Sequence, residues 1–205
     1  MQLDKQAKII YVHIPRTGGS WFTHHWPSFL DGTESFLQGG NIRGIEFGKH
    51  GRLSGILKKL DALKYDYTGY KTITIVREPM DRVASSWVWF SKVKGTAEKH
   101  GWKSIDDMLD EYEGGEIRAN YMPQTYWLCE PNAKFDFIYK FEDLLENSLL
   151  PQKDFPIFNT GESGSKNLRR QGQLRTNLLT AVQQKRIKKL YKDDFDFLSK
   201  YYTES

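Results

Sequence analysis

The chain has 205 residues, 39% of them hydrophobic and 14% aromatic, which excludes a disordered polymer and is enough for one domain with its own core. Thirty Lys and Arg against 26 Asp and Glu leave a formal charge of +4, a small surplus that suits an anionic ligand; with no nucleic-acid-binding motif beside it, no nucleic-acid partner is expected. A single cysteine, Cys129, excludes an internal disulfide framework and the usual cysteine-based zinc cluster, so a reducing compartment is expected.

The opening "MQLDKQAKII" has no long apolar stretch, and no apolar run approaches the roughly 20 residues that span a bilayer. The expectation is a cytoplasmic protein without a stable membrane anchor. Residues 8–14 carry Ile9, Ile10, Val12 and Ile14, the pattern of a strand buried on both faces. The "PRTGG" turn follows, then "SWFTHHWPSFL", a helix with Thr17 or Ser20 near its start and Pro27 to kink or end it. Residues 31–52 hold six glycines and no period, an irregular excursion. "LSGILKKLDAL" places Leu53, Ile56, Leu57, Leu60 and Leu63 at helical spacing, and "KTITIV" (71–76) is a second buried strand, completing a βαβ unit.

Glu78-Pro79 opens the next helix, with Val83, Trp87 and Phe90 on one face. Ser104 and Asp107 cap another, and "ANYMPQTYWL" predicts a helix broken near Pro123. "FDFIYKF" (135–141) reads as a third strand, and 159–176 as a polar, basic loop. Thr180 and Gln183 cap a last helix with Ile187, Leu190, Tyr191, Phe195 and Leu198 at helical intervals. The fold class is α/β, a central parallel sheet with flanking helices, in one domain over 1–205.

A glycine turn between a buried strand and a helix gathers backbone N–H groups at the positive end of the helix. Arg16 adds a fixed cation and Thr17 and Ser20 add hydroxyls, so the expected ligand is a phosphate or a similar tetrahedral oxyanion. "PRTGGSW" has neither the spacing nor the Lys of a Walker A loop, and it lacks G-x-G-x-x-G. "TIVREPMDRVASSW" repeats the plan, with Arg77 at the end of a strand and Ser85 on the following helix. Ligands of parallel sheets gather beyond the carboxyl ends of the strands, which implies two anion sites on one ligand.

These residues resemble the sulfotransferases. "HIPRTGGS" is similar to the family's 5′-phosphosulfate loop, and "VREPMDRVASSW" to its 3′-phosphate segment, where an Arg and a Ser eight positions later bind one phosphate; Arg77 and Ser85 have that spacing. "FDFIYKFEDLLEN" and "IKKLYKDDFDFL" resemble later blocks of the carbohydrate-type members, the heparan sulfate 2-O and chondroitin kind. The resemblance implies a P-loop-like nucleotide-binding sulfotransferase fold, with 3′-phosphoadenosine 5′-phosphosulfate (PAPS) as co-substrate, no metal, and a small-molecule or saccharide acceptor. It assigns the 5′ end to Arg16, Thr17, Gly18, Gly19 and Ser20, and the 3′-phosphate to Arg77 and Ser85.

The family usually has Lys where this chain has Arg16, which therefore stabilises the leaving phosphate by charge and does not readily donate a proton. The acceptor hydroxyl needs a base. Resemblance points to His50; Glu34 and Glu46 are alternatives, while His13 reads as a packed residue orienting the loop. His24, His25 and His100 complete the histidines. Trp21 is a candidate for the adenine face or for the core. Arg169 and Arg170 loosely resemble an Arg-Lys-Gly segment that closes over the 3′-phosphate, the alternative being a solvated basic loop; Arg82 is set aside as a structural ion pair. Competing functions are a small-molecule kinase and a nucleotide-binding protein without turnover.

Overall fold

A computed structural model describes residues 2–5, 7–19, 22, 41–42, 45–46, 48–93, 96–116, 118–131, 134–143 and 176–202. They fall into two compact units, Met1–Val76 with Tyr126–Gly172, and Arg77–Thr125 with Gln173–Ser205.

The first unit is built on a four-stranded sheet of order β1-β2-β5-β6, from β1 (Gln2–Asp4), β2 (Ile9–Val12), β5 (Lys71–Val76) and β6 (Phe137–Lys140). β2 pairs parallel with β5 (Val12 opposite Thr74), and β5 parallel with β6 (Val76 opposite Lys140). β1 pairs antiparallel with β2, so the sheet is mostly parallel, with an antiparallel edge where the sequence predicted no strand. Every residue of β2 is buried, as expected of an interior strand covered on both faces. Strand alternation puts Ile9, Tyr11, Ile73 and Ile75 into one core cluster with Phe22 and Phe141. Buried Thr74 satisfies its hydroxyl by donating to Val12 O at 2.9 Å.

Inside the predicted excursion, β3 (Asn41–Ile42) and β4 (Ile45–Glu46) form a small antiparallel ladder. Helix α1 (Leu53–Ala62) buries Leu53, Ile56 and Leu60 as its spacing predicted. Its start is held by the Glu130 carboxylate, which accepts from Ser54 N at 2.8 Å and from Arg52 Nε at 2.9 Å. A negative group there meets both the unsatisfied amides and the positive helix end.

The second unit is helical. Helix α2 (Pro79–Val88) continues as a π-helical turn, Trp89–Val93. Helix α3 (Ile105–Glu113) carries the Ser104/Asp107 capping box. Segment 119–128, of which residues 126–128 belong to the first unit, departs from the expected broken helix: only α4 (Thr125–Leu128), after Pro123, is helical. The C-terminal helix is two, α5 (Ala181–Leu190) with the Thr180/Gln183 box and α6 (Lys192–Tyr202), parted at Tyr191, where φ is −106° and ψ 26°. Met80, Val83, Phe90, Trp102, Leu109, Tyr121, Ile187 and Tyr191 form this unit's core. Among the described residues no helix is long and apolar enough to cross a membrane.

Candidate functional site

In the first unit β2 ends at Val12 and the chain turns through Pro15, Arg16 and Thr17 to Gly18 and Gly19. Arg16 and Gly18 both have positive φ, 67° and 84°. Phe22 N donates to Gly18 O at 3.0 Å, so the turn runs directly into helical backbone. A Cβ on Gly18 would stand 2.4 Å from Phe141 Cδ2, and one on Gly19 2.2 Å from the His13 ring and 2.6 Å from Tyr11 Oη. The turn therefore lies on side chains of the sheet at a distance that only glycine permits. Thr17 is fully buried and its hydroxyl donates to Ile14 O at 2.8 Å, which engages that hydrogen inside the turn.

His13 and His50 meet beside this turn. His50 Nδ1 lies 3.0 Å from His13 O, and the rings sit edge to face with centroids 4.7 Å apart. A carbonyl oxygen only accepts, so His50 Nδ1 carries a proton, and in the neutral ring the lone pair is on Nε2. Trp127 Nε1 donates to His50 O at 3.0 Å and fixes the main chain of that residue. Burial holds the His13 pKa well below its ordinary value, and His50 when protonated, with the Lys49 and Arg16 charges, pushes it further in the same direction. His13 thus stays neutral and packed under the turn, in a neighbourhood that is cationic.

In the second unit, Arg77 precedes a helix whose start is secured by Glu78, which accepts from Asp81 N at 2.7 Å, with Pro79 following it in the first turn. Arg77 is 3% exposed. Its Nε donates to Asp81 Oδ2 at 2.6 Å, its Nη2 lies 2.5 Å from the same oxygen in an ion pair, and its Nη1 donates to Ser85 Oγ at 3.3 Å. Asp81 and Ser85, four residues apart on α2, share one face, and the predicted Arg77–Ser85 pair is a direct contact. Buried Gln124 binds the Arg77 main chain at both N and O. Arg82, expected in an ion pair, is buried and donates from Nη1 to Met122 O at 2.6 Å; burial lowers its pKa and the Asp194 charge opposes that.

His100 lies in the second unit with its ring 4.6 Å from that of Trp102. Glu46 belongs to β4. Ser20, Trp21, His24, His25, Glu34, Arg169 and Arg170 lie outside the described residues. Asp81, Gln124 and Trp127 did not figure in the sequence reading. Asp81 had a signal, its spacing of four from both Arg77 and Ser85; Gln124 and Trp127 act across 47 and 77 residues and had none.

The family model described as Sulfotransferase family matches residues 1–202. Comparisons with curated proteins and with solved structures give no match.

Proposed function

The chain belongs to the sulfotransferase family, and we propose that it moves the sulfuryl group of PAPS to an acceptor hydroxyl, with a carbohydrate as the acceptor class. The observation that supports the reading most is the contact between Arg77 and Ser85, residues paired by the family's eight-residue spacing and joined at 3.3 Å. A guanidinium with a hydroxyl beside it suits a phosphate, and Arg77 and Ser85 are assigned to the 3′-phosphate. The 5′-phosphosulfate is assigned to the glycine turn: Arg16, the amides of Thr17, Gly18 and Gly19, and Ser20. Trp21, Arg169 and Arg170 are assigned to the nucleotide from family resemblance. Both units are read as one catalytic domain, in keeping with a family match that spans them. Lone Cys129 supports a reducing, cytoplasmic setting.

The reaction is an in-line displacement at sulfur. The bond from sulfur to the bridging oxygen of the donor breaks as the bond to the acceptor oxygen forms, and adenosine 3′,5′-bisphosphate leaves with the electron pair. His50 accepts the acceptor's proton on Nε2, the nitrogen left basic by the bond from Nδ1 to His13 O. Arg16 stabilises charge on the leaving phosphate without giving up a proton. His13 stays neutral, as its burial dictates, so its ring adds no charge beside the base.

The test is incubation with PAPS and a panel of sugars and small alcohols, following release of the bisphosphate and the mass of the acceptor. One sulfated product per bisphosphate released supports the proposal. Donor binding without transfer to any acceptor points to a nucleotide-binding protein without turnover, and phosphorylation from ATP to a kinase; either result overturns it.

A further inference from the structure

Gln124 stands out among the buried polar residues because both ends of its carboxamide are spent on the main chain of one other residue. Its Oε1 accepts from Arg77 N at 3.0 Å and its Nε2 donates to Arg77 O at 2.7 Å. That is the reciprocal pattern a neighbouring antiparallel strand offers a residue, supplied here by one side chain at the point where strand backbone gives way to a helix. Gln124 is in turn held by Asp194 of α6, whose Oδ2 accepts from Gln124 N at 2.8 Å and whose Oδ1 accepts from Thr125 N at 2.8 Å and Thr125 Oγ1 at 3.0 Å. Gln124 and Asp194 are both fully buried. At the far end of the same arginine, Asp81 and Ser85 take the guanidinium.

Arg77 is thus fixed twice, at its main chain and at its tip. Buried groups held by several hydrogen bonds resist rearrangement, because leaving those bonds leaves desolvated groups unpaired. Pinning only the tip would leave the guanidinium free to pivot with the backbone, so the carboxamide sets the direction from which the side chain projects.

We propose that Gln124 is a positioning residue for anion binding, locking the main chain of Arg77 so that its guanidinium and Ser85 Oγ present one fixed face to the 3′-phosphate of the nucleotide, with Asp194 keeping Gln124 in register. This rests on the reading of Arg77 and Ser85 as the 3′-phosphate pair. Adenosine 3′,5′-bisphosphate and adenosine 5′-monophosphate differ only in that phosphate, so the ratio of their affinities isolates the property at issue.

The experiment titrates both nucleotides into the full-length protein and into Gln124→Met, Asp194→Asn and Arg77→Ala, with thermal unfolding alongside. Gln124→Met keeps the length of the side chain and removes both bonds. The ratio should fall by about 10-fold in Gln124→Met and by about 3-fold in Asp194→Asn, the size expected for one or two bonds to a charged group losing alignment, while monophosphate affinity stays within about 2-fold. A purely structural role would lower the unfolding temperature and leave the ratio unchanged; an unchanged ratio in a folded Gln124→Met protein overturns the proposal. Should that variant not fold, an unchanged ratio in Asp194→Asn does the same. A wild-type protein that does not distinguish the nucleotides, or an Arg77→Ala protein that distinguishes them as well as wild type, overturns the reading of Arg77 itself.

Discussion

Arg77 Nη1 donates to Ser85 Oγ at 3.3 Å, joining a residue that leads into α2 to one eight positions along the chain. The intervening Asp81 accepts from Nε and pairs as an ion with the same guanidinium, so the side chain is aligned before any ligand arrives. Ser85→Ala removes a small polar group without disturbing that ion pair. It should weaken binding of adenosine 3′,5′-bisphosphate by about 5- to 10-fold and leave adenosine 5′-monophosphate unchanged, as calorimetry of both ligands will read. Equal weakening of both nucleotides would contradict the assignment.

The two glycines of the turn answer to different constraints, and their variants should behave differently. Gly18→Ala meets Phe141 at 2.4 Å and a φ of 84°, whereas Gly19→Ala meets His13 and Tyr11 in an ordinary backbone conformation. Each substitution should cost about 1–3 kcal/mol by overpacking, measured by denaturant unfolding. Adding Phe141→Leu to Gly18→Ala should recover only part of the loss, because the positive φ remains unfavourable to a residue with a Cβ. Full recovery would show that sterics alone require glycine there.

His13 gives a pH dependence whose sign follows from its burial. Its folded pKa lies well below the ordinary value of 6.5, so between the two values the unfolded chain binds a proton that the folded chain does not. The stabilising contribution is therefore complete above about pH 6.5 and is lost as pH falls toward the folded value, by up to about 1.4 kcal/mol per pH unit for one proton. His13→Gln should flatten that slope in unfolding free energies taken between pH 5 and 8. Identical slopes in the two proteins would contradict a buried, neutral His13.

His50→Asn keeps an N–H that can donate to His13 O and removes the basic nitrogen. With an acceptor in hand, kcat should fall by about 100- to 10,000-fold and the acidic limb of the pH–rate profile should vanish, while bisphosphate affinity holds within about 3-fold. A variant that turns over normally would return the role of base to Glu34 or Glu46.

What the sequence disclosed follows the range over which each interaction acts. β2, β5 and α1 were legible from apolar spacing, and the starts of α2, α3 and α5 from capping residues a few positions apart. β1 and the β3–β4 ladder, two or three residues per strand, are too short to show a period. The break at Tyr191 is hidden because the apolar spacing of the last helix runs through it unchanged. At the site, Arg77 and Ser85 were paired by resemblance to the family's segment, and the glycine turn was legible from its place after a strand. The bonds from His50 to His13 and from Gln124 to Arg77 cross 37 and 47 residues, and no local pattern announces them. Spacing does not disclose orientation either: the Thr17 hydroxyl, suited to an anion by type, donates to Ile14 O.

The most direct measurement is calorimetric binding of adenosine 3′,5′-bisphosphate to the wild-type protein, with ATP and adenosine 5′-monophosphate as controls and Arg77→Ala alongside. The bisphosphate should bind most tightly, and Arg77→Ala should lose about 10- to 100-fold of that affinity, the magnitude of a charge-assisted contact to phosphate. Absence of binding, or a preference for ATP, would contradict the assignment of PAPS as donor.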